Sequence, residues 1–322
     1  MRAVVLEKPG PVDQLRMKVL PVPEPEPGWV RIKVEAFGLN RSELHTRLGL
    51  AEGVTFPRVL GIEATGTVDA DPDGVLPLGQ QVVTMVGGMG RTFDGGYAEY
   101  TVVPRSQAVP FTSQLPWETV GALPETLQTA YGSLTIGLGL RASQSLLIRG
   151  GTSALGLATT ALAKDMGATV FATTRGPDRL RVLADHGVDH PLVDDGTVAP
   201  LVREILPEGV DAGLELVGTP TLPDTLAATR SQGTVCFTGM LSNQWTVPDF
   251  YPIEYLPRGV RLSAYAGATA ELPAEVLQHY LDRIASGEFS AGPVHVYPLD
   301  RIRDAHRDME EGRHTGKLVV RL

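Results

Sequence analysis

Three polar side chains share one short stretch, "GLNRSELHTRLG" from Gly38 to Gly49: the amide of Asn40, the hydroxyl of Ser42 and the imidazole of His45. An amide offers a neutral donor to an oxygen gaining charge, and an imidazole titrates near neutrality and can deliver a proton. That pairing suits a reaction that builds an oxyanion and then protonates the product. Structural roles compete with it. Asn40 is also a good turn residue, His45 could bond to loop backbone, and Ser is common in turns.

A second stretch bears on cofactor chemistry. In "LLIRGGTSALGLATTALAKDMGATVFATTR" a glycine-rich turn separates a strand-like run from a helix-like one. Gly151, Thr152, Ser153, Ala154, Leu155 and Gly156 approximate G-x-G-x-x-G, with Ser153 at the middle glycine. Such a turn brings backbone close to a pyrophosphate at the positive end of a helix. An unliganded strand–helix turn would look similar, but the strand–turn–helix–strand context favours a dinucleotide. The second strand ends in Thr173, Thr174 and Arg175, without the acid that would hold a free ribose. Thr174 and Arg175 suit a 2′-phosphate, so NADPH is expected. Asp178 and Asp194 would weaken that field if they lie close, and Arg175 as a solvated loop residue is the competing reading.

These groups need elements to position them. Residues 1–115 hold short β-branched runs such as "RAVVLE", "WVRIKVEAFGL" and "QQVVTMV", broken by Pro and Gly, which predicts a barrel-like domain. From Trp117, "WETVGALPETLQTAYGSLT" has helical spacing. Alternating strands and helices follow, closing with "GVDAGLELVG" and "GTVCFTG", and predict a parallel sheet covered on both faces. After "VRLSAYAG" come a helix, "PAEVLQHYLDRIASG", and a final strand, "GKLVVRL", expected to return to the first domain.

Bulk properties narrow the class. A chain of 322 residues exceeds the usual size of one core, so two domains are expected. A net charge of −9 argues against nucleic-acid and anionic-membrane partners. The single cysteine, Cys236, rules out an intrachain disulfide and a multi-cysteine zinc site. Without a long apolar segment, a cytoplasmic protein is expected.

Taken in order, "GLNRSELHTRLG", "PRVLGIEATGTV", "GGYAEYTVVP", "LPETLQTAYGSL", "GGTSALGLATTALAKDMGATV", "GVDAGLELVG" and "HRDMEEGRHTGKLVVRL" resemble the medium-chain dehydrogenase/reductase superfamily, in particular its zinc-free quinone oxidoreductase branch. The resemblance runs nearly end to end. It implies an α/β protein with a GroES-like β-barrel domain, residues 1–118 completed by 266–322, and a Rossmann domain, residues 119–265. It also implies an active-site cleft between them and a homodimer.

Zinc alcohol dehydrogenases of that superfamily have Cys where Asn40 stands and His where Ile62 stands, with a third ligand at Glu125. The resemblance therefore implies no catalytic metal, since neither Asn40 nor Ile62 is a zinc donor and one carboxylate cannot hold the ion. It further implies Asn40 near substrate and nicotinamide, Arg41 near the pyrophosphate, Thr129 near the nicotinamide, and Val217 and Gly218 near its ribose. Gly239 and Met240 would continue the cleft. Glu125, unliganded, and Tyr251, within the aromatic stretch "WTVPDFYPIEYLPRG", would meet substrate. Lys317 is a frequent family residue without an assigned role.

His45 occupies a position that is often Tyr in quinone reductases and His in relay-type alcohol dehydrogenases. A second family Tyr is Ala51 here, which weakens an enoyl-reductase proton-donor assignment. The expected function is NADPH-dependent hydride transfer to a quinone. The alternatives are reduction of an activated C=C bond in a 2-alkenal, enone or enoyl thioester, and a cofactor-binding module with little catalysis.

Overall fold

The computed structural model describes all 322 residues. Its contacts divide the chain into two compact units, residues 1–128, 268–289 and 293–322 in one and residues 129–267 and 290–292 in the other. The division expected from the sequence fell after residue 118, with the return at 266.

The first unit opens with β1 (Arg2–Leu6), β2 (Leu15–Val19) and β3 (Trp29–Gly38). After α1 (Arg41–Arg47) come β4 (Arg58–Val59), β5 (Glu63–Ala70), β6 (Gln81–Met85), β7 (Tyr100–Pro104) and β8 (Val109–Pro110). In β3 the side chains of Val30, Ile32, Val34 and Ala36 are buried while Lys33 is exposed, the alternation of a strand with one face on a core. The expected helix from Trp117 forms as two, α2 (Trp117–Val120) and α3 (Pro124–Gly132). Pro124 lacks the amide that a continuing helix needs and takes a first-turn position instead.

The second unit alternates strictly: β9 (Ser145–Arg149), α4 (Ala154–Asp165), β10 (Thr169–Thr174), α5 (Leu180–Asp185), β11 (His190–Val193), α6 (Ala199–Ile205), β12 (Val210–Glu215), α7 (Leu222–Ala228) and β13 (Thr229–Phe237), then α8 (Pro252–Tyr255) and β14 (Arg261–Ala264). All six strands are parallel, in the order β11-β10-β9-β12-β13-β14. Every residue of β9 is buried, as a central parallel strand requires. Strand order reverses between β9 and β12, which puts a topological switch point at the turn after β9. This is the doubly wound sheet that the sequence pattern predicts.

The last segment supplies α9 (Ala274–Ala285), β15 (Val294–Pro298), α10 (Ile302–Glu311) and β16 (Lys317–Arg321). The tail does return: β16 runs antiparallel to β3, with Val319 opposite Gly38. The main sheet of this unit reads β15-β16-β3-β5-β6-β8 with β7 also on β3, and a smaller sheet reads β2-β1-β4. Helix α10 buries Ile302, Ala305 and His306 on one face and stops at Gly312, whose left-handed φ of 62° closes the last turn. Leu6, Ile32, Phe37, Leu60 and Val320 lie in the core of this unit.

Candidate active site

Asn40 ends the extended segment after β3 and caps α1. Its backbone N–H donates to Glu43 Oε2 at 2.9 Å, so the third residue of the helix reaches back to its cap. The Asn40 amide is then spent elsewhere. Nδ2 donates to Glu63 Oε1 at 2.8 Å, and Oδ1 accepts from Lys317 Nζ at 2.5 Å. Lys317 Nζ also lies 2.8 Å from Glu63 Oε1 and 3.7 Å from Glu125 Oε2, and the Glu125 backbone N–H donates to Glu63 Oε2 at 2.9 Å. A buried ammonium thus sits among an amide and two carboxylates.

Gly38 makes room for this cluster, because a Cβ there would stand 2.4 Å from Glu63 Oε1 and 2.5 Å from Lys317 Cε. Burial alone would lower the Lys317 pKa, but Glu63 and Glu125 outweigh it and hold the ammonium above the ordinary lysine range. Glu43 behaves differently. Burial pushes its carboxyl up to about 7, against the backbone amides that bind it, including Ile62 N–H at 2.8 Å. The neighbouring charge of Glu63 also raises it, and that of Lys317 lowers it.

His45 is buried on α1, and Arg41 is half-buried at its start. Ser42 Oγ accepts from Arg91 Nη2 at 2.7 Å, an interaction that no sequence motif announced. The three positions expected to hold zinc in distant relatives present an amide engaged with an ammonium, the hydrocarbon of Ile62, and Glu125 beside Lys317. That donor set does not fit a catalytic zinc. No group of three or more His, Cys, Asp or Glu side chains is placed to hold a metal ion.

The second unit carries the glycine turn at its switch point. Gly150 N–H donates to Thr173 Oγ1 at 3.0 Å and Gly151 N–H to Thr173 O at 2.8 Å. The Ser153 hydroxyl accepts from Gly156 N–H at 3.0 Å and donates to Gly150 O at 2.8 Å, so the residue at the middle-glycine position is the cap of α4. A Cβ on Gly156 would lie 2.6 Å from Gly150 O and 2.7 Å from Gly151 O, contacts with main chain that cannot move aside. Thr152, Ser153, Ala154 and Leu155 remain partly accessible at the helix N-terminus. Backbone cradle, small residues and positive helix end fit a dinucleotide pyrophosphate.

Other predicted cofactor residues gather at neighbouring strand ends. Ser242 N–H donates to Val217 O at 2.8 Å and Leu241 N–H to Leu216 O at 3.0 Å, which lays the 239–242 segment against the end of β12. Gly239 and Gly218 are both tight: a Cβ would come 2.6 Å from Leu216 Cα at the first and 2.5 Å from Ser242 Oγ at the second. Met240 is half-buried in the same segment. Glu215, which the sequence reading passed over, organises this corner by accepting from Val217 N–H, Gly218 N–H and the hydroxyls of Thr221 and Thr225. Thr129 is nearly buried on α3, one turn before Ser133, whose Oγ lies 3.0 Å from Thr238 Oγ1.

Thr174 is buried, whereas Arg175 is exposed and has no ion-pair partner. Tyr251 is 54% exposed, and no hydrogen bond ties its side chain to the strand ends.

One unit is a parallel sheet with a phosphate-type turn at its switch point, the other an antiparallel unit bearing a buried polar cluster, and this pair of units is the architecture of a nucleotide-dependent oxidoreductase. Comparison with known proteins agrees. Residues 26–113 match the alcohol dehydrogenase GroES-like domain, and residues 184–320 match the zinc-binding dehydrogenase family. The chain is 25% identical over 98% of its length to a probable quinone oxidoreductase of Schizosaccharomyces pombe, covering 96% of that protein. It is 27% identical over 91% of its length to a fungal highly reducing polyketide synthase, of which it spans only 11%. A mycobacterial structure, Rv1454c complexed with NADPH, superposes with a TM-score of 0.86 at 27% identity, covering 100% of both chains. The chain belongs to the medium-chain dehydrogenase/reductase superfamily, with the GroES-like and Rossmann domains of that family.

Proposed function

We propose that the protein is an NADPH-dependent reductase that passes hydride to a quinone without a catalytic metal. The observation that carries this reading is the donor set at positions 40, 62 and 125, where an amide, a hydrocarbon and a lysine-paired carboxylate stand. Such a donor set offers no Lewis acid to stabilise an alkoxide, whereas a quinone is already electrophilic and can accept hydride with hydrogen-bond donors alone. Bound NADPH would supply the hydride. The glycine turn at 151–156 would hold its pyrophosphate, with Arg41 as a further contact, and Thr174 and Arg175 its 2′-phosphate. Thr129, Val217, Gly218, Gly239 and Met240 would line the nicotinamide end, with Glu125 and Tyr251 toward substrate.

The Asn40 amide gives one N–H to Glu63 and retains a second. Lys317, by donating to Oδ1, fixes which way the amide faces, so the second N–H keeps one direction in which to meet a developing oxyanion. His45 or water would return the proton. A two-fold homodimer in the cytoplasm is the expected setting. The exposed edge strand β14 supports the dimer, and no helix is long and apolar enough to cross a membrane.

The match to a reducing polyketide synthase supports a second reading, reduction of an activated C=C bond. NADPH oxidation separates the two, with an ortho-quinone and a 2-alkenal offered in parallel. Faster turnover of the quinone supports the first reading and faster turnover of the alkenal the second. Tight NADPH binding with neither turnover would count against both.

A further inference from the structure

Arg149 is the last residue of β9, directly before the glycine turn, and it is completely buried. Its Nη2 donates to Asp194 Oδ1 at 2.8 Å, its Nη1 to Asp224 Oδ2 at 2.6 Å, and its Nε to Asp194 Oδ2. Asp224 is further held by the backbone N–H groups of Val198 and Ala199 at the start of α6. Asp194 also meets the end of β10 and, through Thr173, the glycine turn. Thr173 Oγ1 donates to Asp194 Oδ2 at 3.2 Å, the same hydroxyl accepts from Gly150 N–H, and Asp194 N–H donates to Thr174 O at 2.8 Å. An acid therefore does stand beside the end of β10, one residue from the exposed and unpaired Arg175. Its charge is answered from behind the turn. Burial opposes ionisation of Asp194, but Arg149 holds its carboxyl below the usual carboxylate range.

We propose that Arg149 is a specificity-determining residue that acts through Asp194. By engaging that carboxylate it removes the acid otherwise available to a free ribose and leaves Arg175 as the unbalanced charge, so the site selects a dinucleotide bearing a 2′-phosphate. This rests on the NADPH reading and adds to it the residue that sets the preference, one that does not itself touch the cofactor. Formal charge orders the variants. Arg149, Asp194 and Asp224 together carry one net negative charge. Arg149→Gln makes the group one unit more negative and Asp194→Asn one unit less, while the double variant restores the starting value.

The test is calorimetric titration of the full-length protein with 2′,5′-ADP and 5′-ADP at pH 8, read as the ratio of the two affinities. A like charge near a partly solvated phosphate is worth about tenfold. The ratio is expected to fall about tenfold in Arg149→Gln, to rise several-fold in Asp194→Asn, and to return near wild type in the double variant. If Arg149→Gln does not fold, the other two proteins still decide. A merely structural role would lower both affinities together and make the double variant the worst. Either a ratio unchanged in every variant that folds or a double variant below wild type in ratio would overturn the proposal. A wild-type protein that binds both ligands equally would instead overturn the NADPH reading on which it rests.

Discussion

Replacing Lys317 by Met keeps the length of the buried stem and deletes its charge. The ammonium is 6% exposed and Glu63 is fully buried, so the variant leaves a carboxylate in the interior without its cation. Breaking a buried pair from one side costs about 3–5 kcal/mol. Glu63 keeps two hydrogen bonds, from Asn40 Nδ2 and from the Glu125 backbone, so the low end of about 3 kcal/mol applies. For a domain of this size that corresponds to a fall in melting temperature of roughly 6–12 °C. Urea denaturation and calorimetry would measure it, with Glu63→Gln added in a double-mutant cycle. The double variant should recover part of the loss, because the fully buried Glu63 position then carries no charge, while the partly exposed Glu125 still lacks its cation.

The sign of the pH dependence is also fixed. The Lys317 pKa is raised above its ordinary 10.5, so the stability it lends is present throughout the neutral range and is lost only as pH climbs past that value. The wild-type advantage should therefore be level between pH 7 and 9. A destabilisation below about 1 kcal/mol, the level of a solvated surface pair, would refute the reasoning.

Gly156→Ala should abolish dinucleotide binding or the fold of the second unit, since its Cβ meets two carbonyl oxygens at 2.6 and 2.7 Å. Binding near wild-type strength in a titration would contradict the tight turn. Glu43, ordinarily near 4.5, is raised to about 7, so the folded state holds a proton that the unfolded chain releases, and stability falls as pH rises from 4.5 to 7. Glu43→Gln should flatten that decline, which totals about 3 kcal/mol at most; denaturation midpoints at pH 5 and 7.5 would show it. His306 has the opposite sense. Burial, with the Arg47 charge beside it, lowers it from 6.5 to about 3, so stability is complete above 6.5 and falls by about 1.4 kcal/mol per pH unit in acid. His306→Leu should remove that acid slope whatever its own cost at pH 7, and an unchanged slope would assign acid sensitivity elsewhere.

Local pattern made much of the fold legible. The alternation in β3, the unbroken apolar run of β9, and Gly156 against the strand all have sequence signatures that follow from strand period and turn geometry. The helix break before Pro124 was also present in the chain, as a residue that ends one helix and begins another. The polar clusters were harder to read. Lys317 reaches Asn40 across 277 positions, and only β16 lying against β3 explains the contact. A lysine opening the buried tail run "KLVV" was the available signal, since such a charge must find a partner. Arg149 gave the same kind of sign at the end of "SLLIR", but its partners Asp194 and Asp224 belong to different loops and helices that strand order alone assembles. Helices α6 and α7, short and begun near prolines, carry too little periodic pattern to stand out.

The central claim is hydride transfer without a metal, and the most direct measurement is NADPH oxidation with an ortho-quinone by protein dialysed against a strong chelator. The account predicts the same rate before dialysis, after it, and after zinc is added back. A rate that disappears on dialysis and returns with zinc would contradict it.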